Sequence, residues 1–119
     1  MTIEKRVLST IFANMFAQKD MKYVGDYLFV ELNKNRILKA NIYYHCEYNV
    51  AIGFMIFIYH KDNGKIFEQL FSFKEFGLYA EYGSFGWRNP GLSKKEFKPT
   101  EEELDRIRKP LWELIEMWM

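Results

Sequence analysis

The sequence predicts an α+β fold: an N-terminal helix, a four- to five-stranded antiparallel meander sheet and a kinked C-terminal helix, with both helices on one sheet face. Three observations predict it. Ile3, Val7, Leu8, Ile11, Phe12, Met15 and Phe16 recur at steps of three and four, which places them on one stripe of a helix. Residues 27–74 then read as strand-length runs separated by turn residues, with no helix-length pattern between them, so successive strands pair antiparallel. Leu104, Ile107, Leu111, Leu114, Ile115 and Trp118 restore the helical period at the end.

Thr2 is a helix N-cap, and the first stripe stops near Asp20. Gly25 and Asp26 mark a turn, and residues 27–32 read as the first strand. Asn33-Lys34-Asn35 is a turn, and Leu28, Val30 and Leu32 face the core if it has three residues. Residues 36–47 form a long second strand, and 50–61 a third that is apolar on both faces and therefore central. A fourth strand follows over 65–74. The turn Asp62-Asn63-Gly64-Lys65 has an Asn-Gly centre, which predicts a two-residue type I′ hairpin, because that turn needs φ > 0 at both central residues. It pairs His60 with Phe67, Ile58 with Gln69, Ile56 with Phe71 and Phe54 with Phe73. A three-residue loop at Glu47-Tyr48-Asn49 pairs Cys46 with Val50, Tyr44 with Ile52, Ile42 with Phe54 and Ala40 with Ile56.

The two hairpins agree on a core face of Leu38, Ala40, Ile42, Tyr44, Cys46, Val50, Ile52, Phe54, Ile56, Ile58, Phe67, Phe71 and Phe73. The opposite face mixes rings, charges and small polar groups: Lys39, Asn41, Tyr43, His45, Glu47, Met55, Phe57, Tyr59, Ile66, Glu68, Leu70 and Ser72. Residues 78–82 suggest a short edge strand, and 83–93 a glycine-punctuated loop with Phe85, Trp87 and Arg88. Thr100 and Glu103 form a capping box for the last helix. Pro110 lies inside that helix and should kink it, while Trp112, Met117 and Met119 fall off its apolar stripe.

Residues 1–119 make a single domain with 49% hydrophobic and 18% aromatic residues. Seventeen Lys and Arg against 16 Asp and Glu leave a net charge of +1, too little to concentrate nucleic acid or an anionic membrane. The lone Cys46 excludes an intramolecular disulfide and a cysteine-rich zinc site, and the apolar run over 50–59 is far too short to cross a membrane. Together with an N-terminus unlike a signal peptide, these features point to the cytoplasm.

Catalytic motifs are not legible. His45 and Cys46 are strand neighbours and point to opposite faces, and His60 makes a poor metal pair with His45. Glu101, Glu102 and Glu103 complement a helix dipole. Lys94, Lys95 and Lys98, with Arg106, Arg108 and Lys109, read as a solvated charged surface. No enzyme activity, metal or cofactor is expected. The mixed face makes Lys39, Tyr43, His45, Glu47, Met55, Phe57, Tyr59 and Glu68 the candidate protein-binding residues, with Phe85, Trp87 and Arg88 as a secondary loop. By analogy, small domains of this kind act as inhibitors of an enzyme, for example immunity proteins that neutralise a toxin. The alternative is a small-ligand site, enzymatic or not, between sheet and helices, lined by Tyr23, Tyr44, His60 and the Phe85–Trp87 loop. A homodimer through a sheet edge or the Trp118 end is a third reading.

Overall fold

The computed structural model describes residues 2–17, 20–44, 51–76 and 99–119. Helix α1 covers Ile3–Phe12 and helix α2 covers Glu101–Trp118. Between them lie β1 (Met21–Val24), β2 (Tyr27–Asn33), β3 (Arg36–Tyr44), β4 (Ala51–His60) and β5 (Gly64–Ser72). The strands form one antiparallel sheet in the order β1-β2-β3-β4-β5, so the α+β meander read from the sequence is the fold observed.

Both helix starts follow local chemistry. Thr2 Oγ1 accepts the Lys5 N–H at 3.2 Å and donates to Asp26 Oδ1 at 2.8 Å, which ties the α1 cap to the β1–β2 turn. At α2, Thr100 N–H donates to Glu103 Oε1 at 2.9 Å and Glu103 N–H donates to Thr100 Oγ1 at 3.2 Å, a complete capping box. Pro110 lies inside α2 and withholds an N–H from the Arg106 carbonyl.

Among the described residues, the core lies between the inner sheet face and helices α1 and α2. Val7, Leu8, Ile11 and Phe12 of α1, and Leu104, Ile107, Leu111 and Ile115 of α2, are buried with Leu28, Val30, Leu38, Ala40, Ile42, Phe54, Ile56, Ile58, Phe71 and Phe73. Phe54 stacks on Phe71 with centroids 5.3 Å apart and meets Phe12 edge-on at 6.0 Å. These rings join α1 to the central strand. Trp112, off the stripe in the sequence, packs edge-on against Phe16 at 6.1 Å.

The structure corrects the details of register. The two-stranded start of the sheet was not foreseen: Met21–Val24 is a strand, paired to Tyr27–Val30 across Gly25-Asp26. The Asn33 turn is shorter than expected, since Asn33 pairs with Arg36 and a bulge lies between Glu31 and Asn33; Leu28, Val30 and Leu32 still face the core. The Asn35 N–H donates to Asn33 Oδ1 at 2.8 Å, a local bond that stabilises so tight a turn. Ile42 pairs with Phe54 and Ala40 with Ile56 as expected, but a bulge pairs Tyr44 with Ala51 instead of Ile52.

The β4–β5 turn is not type I′. Lys61, Asp62 and Asn63 form it, and Gly64 follows opposite His60 with φ 75. Ile58 therefore faces Phe67, Ile56 faces Gln69 and Phe54 faces Phe71. From Gly53 to Ile58 the pairing has moved by two residues, so those side chains keep their face, while a bulge between Ile58 and Tyr59 sets Lys65 opposite Tyr59. One tertiary and one local bond hold this turn: Lys61 N–H donates to the Asn35 carbonyl at 2.8 Å, and Asp62 N–H donates to His60 Nδ1 at 3.1 Å. Further along, β5 passes so close to β4 that a Cβ at Gly53 would lie 2.1 Å from the Phe71 carbonyl oxygen. Only glycine fits that position.

Candidate functional site

With both helices on the inner face, the outer face of the sheet is the candidate site. Side-chain alternation and the observed pairing arrange it in rows across the strands. One row runs Glu31, Ile37, Tyr59, Lys65. The next runs Lys22, Phe29, Lys39, Phe57, Glu68, and a third carries Asn41, Met55 and Leu70 beside Val24 and Tyr27. Tyr43, Gly53 and Ser72 form the last.

Six of the eight residues singled out from the sequence are thus placed together: Lys39, Tyr43, Met55, Phe57, Tyr59 and Glu68 share this face. His45 and Glu47 lie outside the described residues, as do Phe85, Trp87 and Arg88, Cys46, the 78–93 segment and Lys94, Lys95 and Lys98. None of the six is buried, and Tyr43 keeps 43% of its surface. Ile37, at 43%, Ile66 and Leu70 add exposed apolar area on the same side. Scattered single apolar residues are ordinary on a surface; a contiguous set on one face points to a contact.

Lys39 stands at the centre. Its Nζ lies 4.5 Å from the Tyr27 ring centroid and 5.3 Å from that of Phe57, within reach of cation–π attraction. Phe57 also meets the Tyr59 ring at 6.3 Å. Lys65 pairs with Glu68 at 3.3 Å, but both side chains are about half exposed, so that pair contributes little. Towards β1, a shallow depression of about 620 Å³ is lined by Asp20, Lys22, Phe29, Glu31, Lys34 and Ile37.

Asn41 sits beside Lys39 and is only partly satisfied. Its Nδ2 donates to the Ile42 carbonyl at 3.2 Å, while its buried Oδ1 has no donor among the described residues. Such an orphan costs about 1–3 kcal/mol, and asparagine is a poor strand residue. Asn41→Val is therefore expected to raise stability by about 1 kcal/mol; a denaturant midpoint at or below that of wild type would show the oxygen to be satisfied.

Of the residues of the ligand-site alternative, Tyr44 and His60 are not brought together, and the Phe85–Trp87 loop lies outside the described residues. Tyr44 and His60 stand near opposite ends of the sheet, paired with Ala51 and Arg36 respectively, about 26 Å apart at strand rise. Tyr44 donates to Glu4 at 2.5 Å. Tyr23 shares a 2.6 Å hydrogen bond with Ser9; burial pushes its pKa above 10.0, and the Ser9 bond opposes this. Among the described residues no group of three or more His, Cys, Asp or Glu is placed to hold a metal ion. No helix there is long and apolar enough to cross a membrane.

One charged residue was misjudged from the sequence. Arg108, read as part of a solvated basic surface, is only 9% exposed. Its Nε donates to the Ile11 carbonyl at 2.9 Å, its Nη2 to the Thr10 carbonyl, and its Nη1 to Glu101 Oε2 at 2.9 Å. These carbonyls belong to the last turn of α1, which has no basic residue of its own. Arg108 thus caps α1 from α2. Arg108 stands four residues after Leu104 and three before Leu111, within the buried stripe of α2, and that spacing is the one local sign of its burial. No protein-family model, curated protein or solved structure was found to match this chain.

Proposed function

We propose that the chain is a non-enzymatic protein-binding module that acts through the outer face of its sheet, as a cytoplasmic inhibitor of an enzyme partner in the manner of an immunity protein. The observation that supports this most is the grouping of Lys39, Tyr43, Met55, Phe57 and Tyr59, none of them buried, on the face opposite both helices. The aromatic and methionine side chains match the composition of interface centres, where a few large residues carry most of the binding energy, and the central lysine departs from it. The single cysteine suits a reducing compartment. The inhibitor role rests on analogy with other small single-domain proteins.

The test is capture of a partner from source-cell lysate with wild type and with a Tyr43→Ala/Tyr59→Ala double variant as paired baits. We expect a protein held by wild type and lost by a double variant that keeps its fold. If each substitution instead lowers stability by about 2–4 kcal/mol, as a core truncation does, the face is covered and the proposal fails.

A further inference from the structure

We propose that the partner face is built around Lys39 as a pre-formed receptor for one carboxylate, so that the occupant is a protein segment presenting an Asp or Glu between apolar side chains. This rests on the protein-binding role proposed above and gives its chemistry. Three observations carry it. First, the Lys39 ammonium is held between the Tyr27 and Phe57 rings, which fixes its position and lowers the entropy lost when it is bound. Second, no carboxylate among the described residues pairs with Lys39, although Lys65 has Glu68 and Arg108 has Glu101. Third, apolar groups lie on both sides of it along the strands: Ile37 and Tyr59 in the row before, Met55 and Leu70 in the row after.

A cation that the described residues leave without a counter-ion, in a half-buried apolar setting, gains most from a counter-ion supplied in trans. The neighbouring charges limit the occupant. Lys22 lies two strands away in the same row, about 10 Å from Lys39, and it too has no carboxylate partner among the described residues. Asp20 and Glu31 border the depression beyond it. These acids disfavour a uniformly acidic surface and a phosphate backbone alike, and leave a single carboxylate with apolar flanks as the complementary ligand.

The probe is a randomised peptide display library selected on the whole chain, with an oligothymidylate measured alongside. Lys39→Met keeps the apolar stem and removes the charge; Lys39→Arg keeps the charge. Enriched peptides should carry Asp or Glu next to apolar residues and weaken at least about tenfold on Lys39→Met, while Lys39→Arg retains most of the affinity. Added salt should weaken wild type more than Lys39→Met. Peptides that lack Asp and Glu, or that bind Lys39→Met equally, overturn the carboxylate inference; if they still fail on Tyr43→Ala/Tyr59→Ala, the binding face itself stands. Peptides indifferent to all of these variants, or no enrichment at all, overturn both. Oligothymidylate binding that is lost in Lys39→Met replaces the carboxylate by a phosphate backbone and overturns the inference in favour of nucleic acid.

Discussion

Phe54→Ala is expected to lower stability by about 3–5 kcal/mol, the range for a buried phenylalanine, and the melting temperature by roughly 12–20 °C for a chain of this size. Phe54 has no exposed surface and touches three rings, Phe12 of α1, Phe71 of β5 and Phe73 just after β5. Truncation removes the transfer energy of the ring and leaves a cavity that stacked neighbours fill poorly. Edge and stacking terms add about 0.5–1.5 kcal/mol for each aromatic pair. The control is Phe57→Ala, three residues along β4 on the other face. Its ring is only half-buried, so its loss should fall well below that of Phe54 in denaturant unfolding. Equal losses would mean that the outer face is a second core, and the binding proposal would fall with it.

Arg108→Met should be nearly as damaging, at about 3 kcal/mol. The methionine fills the apolar part of the space but leaves the Thr10 and Ile11 carbonyls without the donors they now have, at about 1–3 kcal/mol for each buried group stranded. Arg108→Lys should recover little, because one ammonium cannot reproduce the fork that spans two successive carbonyls and a carboxylate. Glu101→Gln should stay within about 1 kcal/mol of wild type, because the Glu101 side chain is 76% exposed and water screens that pair. If Arg108→Lys unfolds at the same denaturant concentration as wild type, the cap is not what Arg108 provides. A large loss in Glu101→Gln would move the weight to the ion pair.

The pattern of success in the sequence follows from the range of the forces. Thr2, Thr100 and Glu103 were legible because a cap is settled within four residues. The faces of Leu28 to Tyr43, and of Gly53 to Ile58 with their partners Phe67 to Ser72, were legible because a two-residue period survives any even slip of register, and over those residues the β4–β5 slip was even; the bulges at Tyr44 and Tyr59 were not legible. The slip itself was not legible: an Asn-Gly pair suits a type I′ turn and a turn followed by a left-handed glycine equally well, and the Asn35–Lys61 bond that accompanies the second comes from a different hairpin. The strand Met21–Val24 carries only four residues, too few for alternation to stand out beside a turn. Arg108 was missed because its partners lie 97 and 98 positions away. For the candidate site, the sequence supplied the membership of the face, while the placement of Lys39 between two rings required coordinates.

The position of α2 in the chain has a consequence for biosynthesis. A meander is assembled from neighbouring strands, so the sheet can form once Ser72 has emerged from the ribosome. The residues of α2 that cover its inner face, Leu104 to Ile115, are made after it. At about 5–20 residues per second, elongation from Ser72 to Trp118 takes roughly two to nine seconds. During that interval the inner face around Ile42, Ile56 and Phe71 has α1 for a cover and nothing from α2, and α1 itself waits for the arginine that caps it. The growing chain is adhesive while its sheet is already complete, so the pace of translation between Ser72 and Trp118, and the chaperones that meet the chain there, bear on yield.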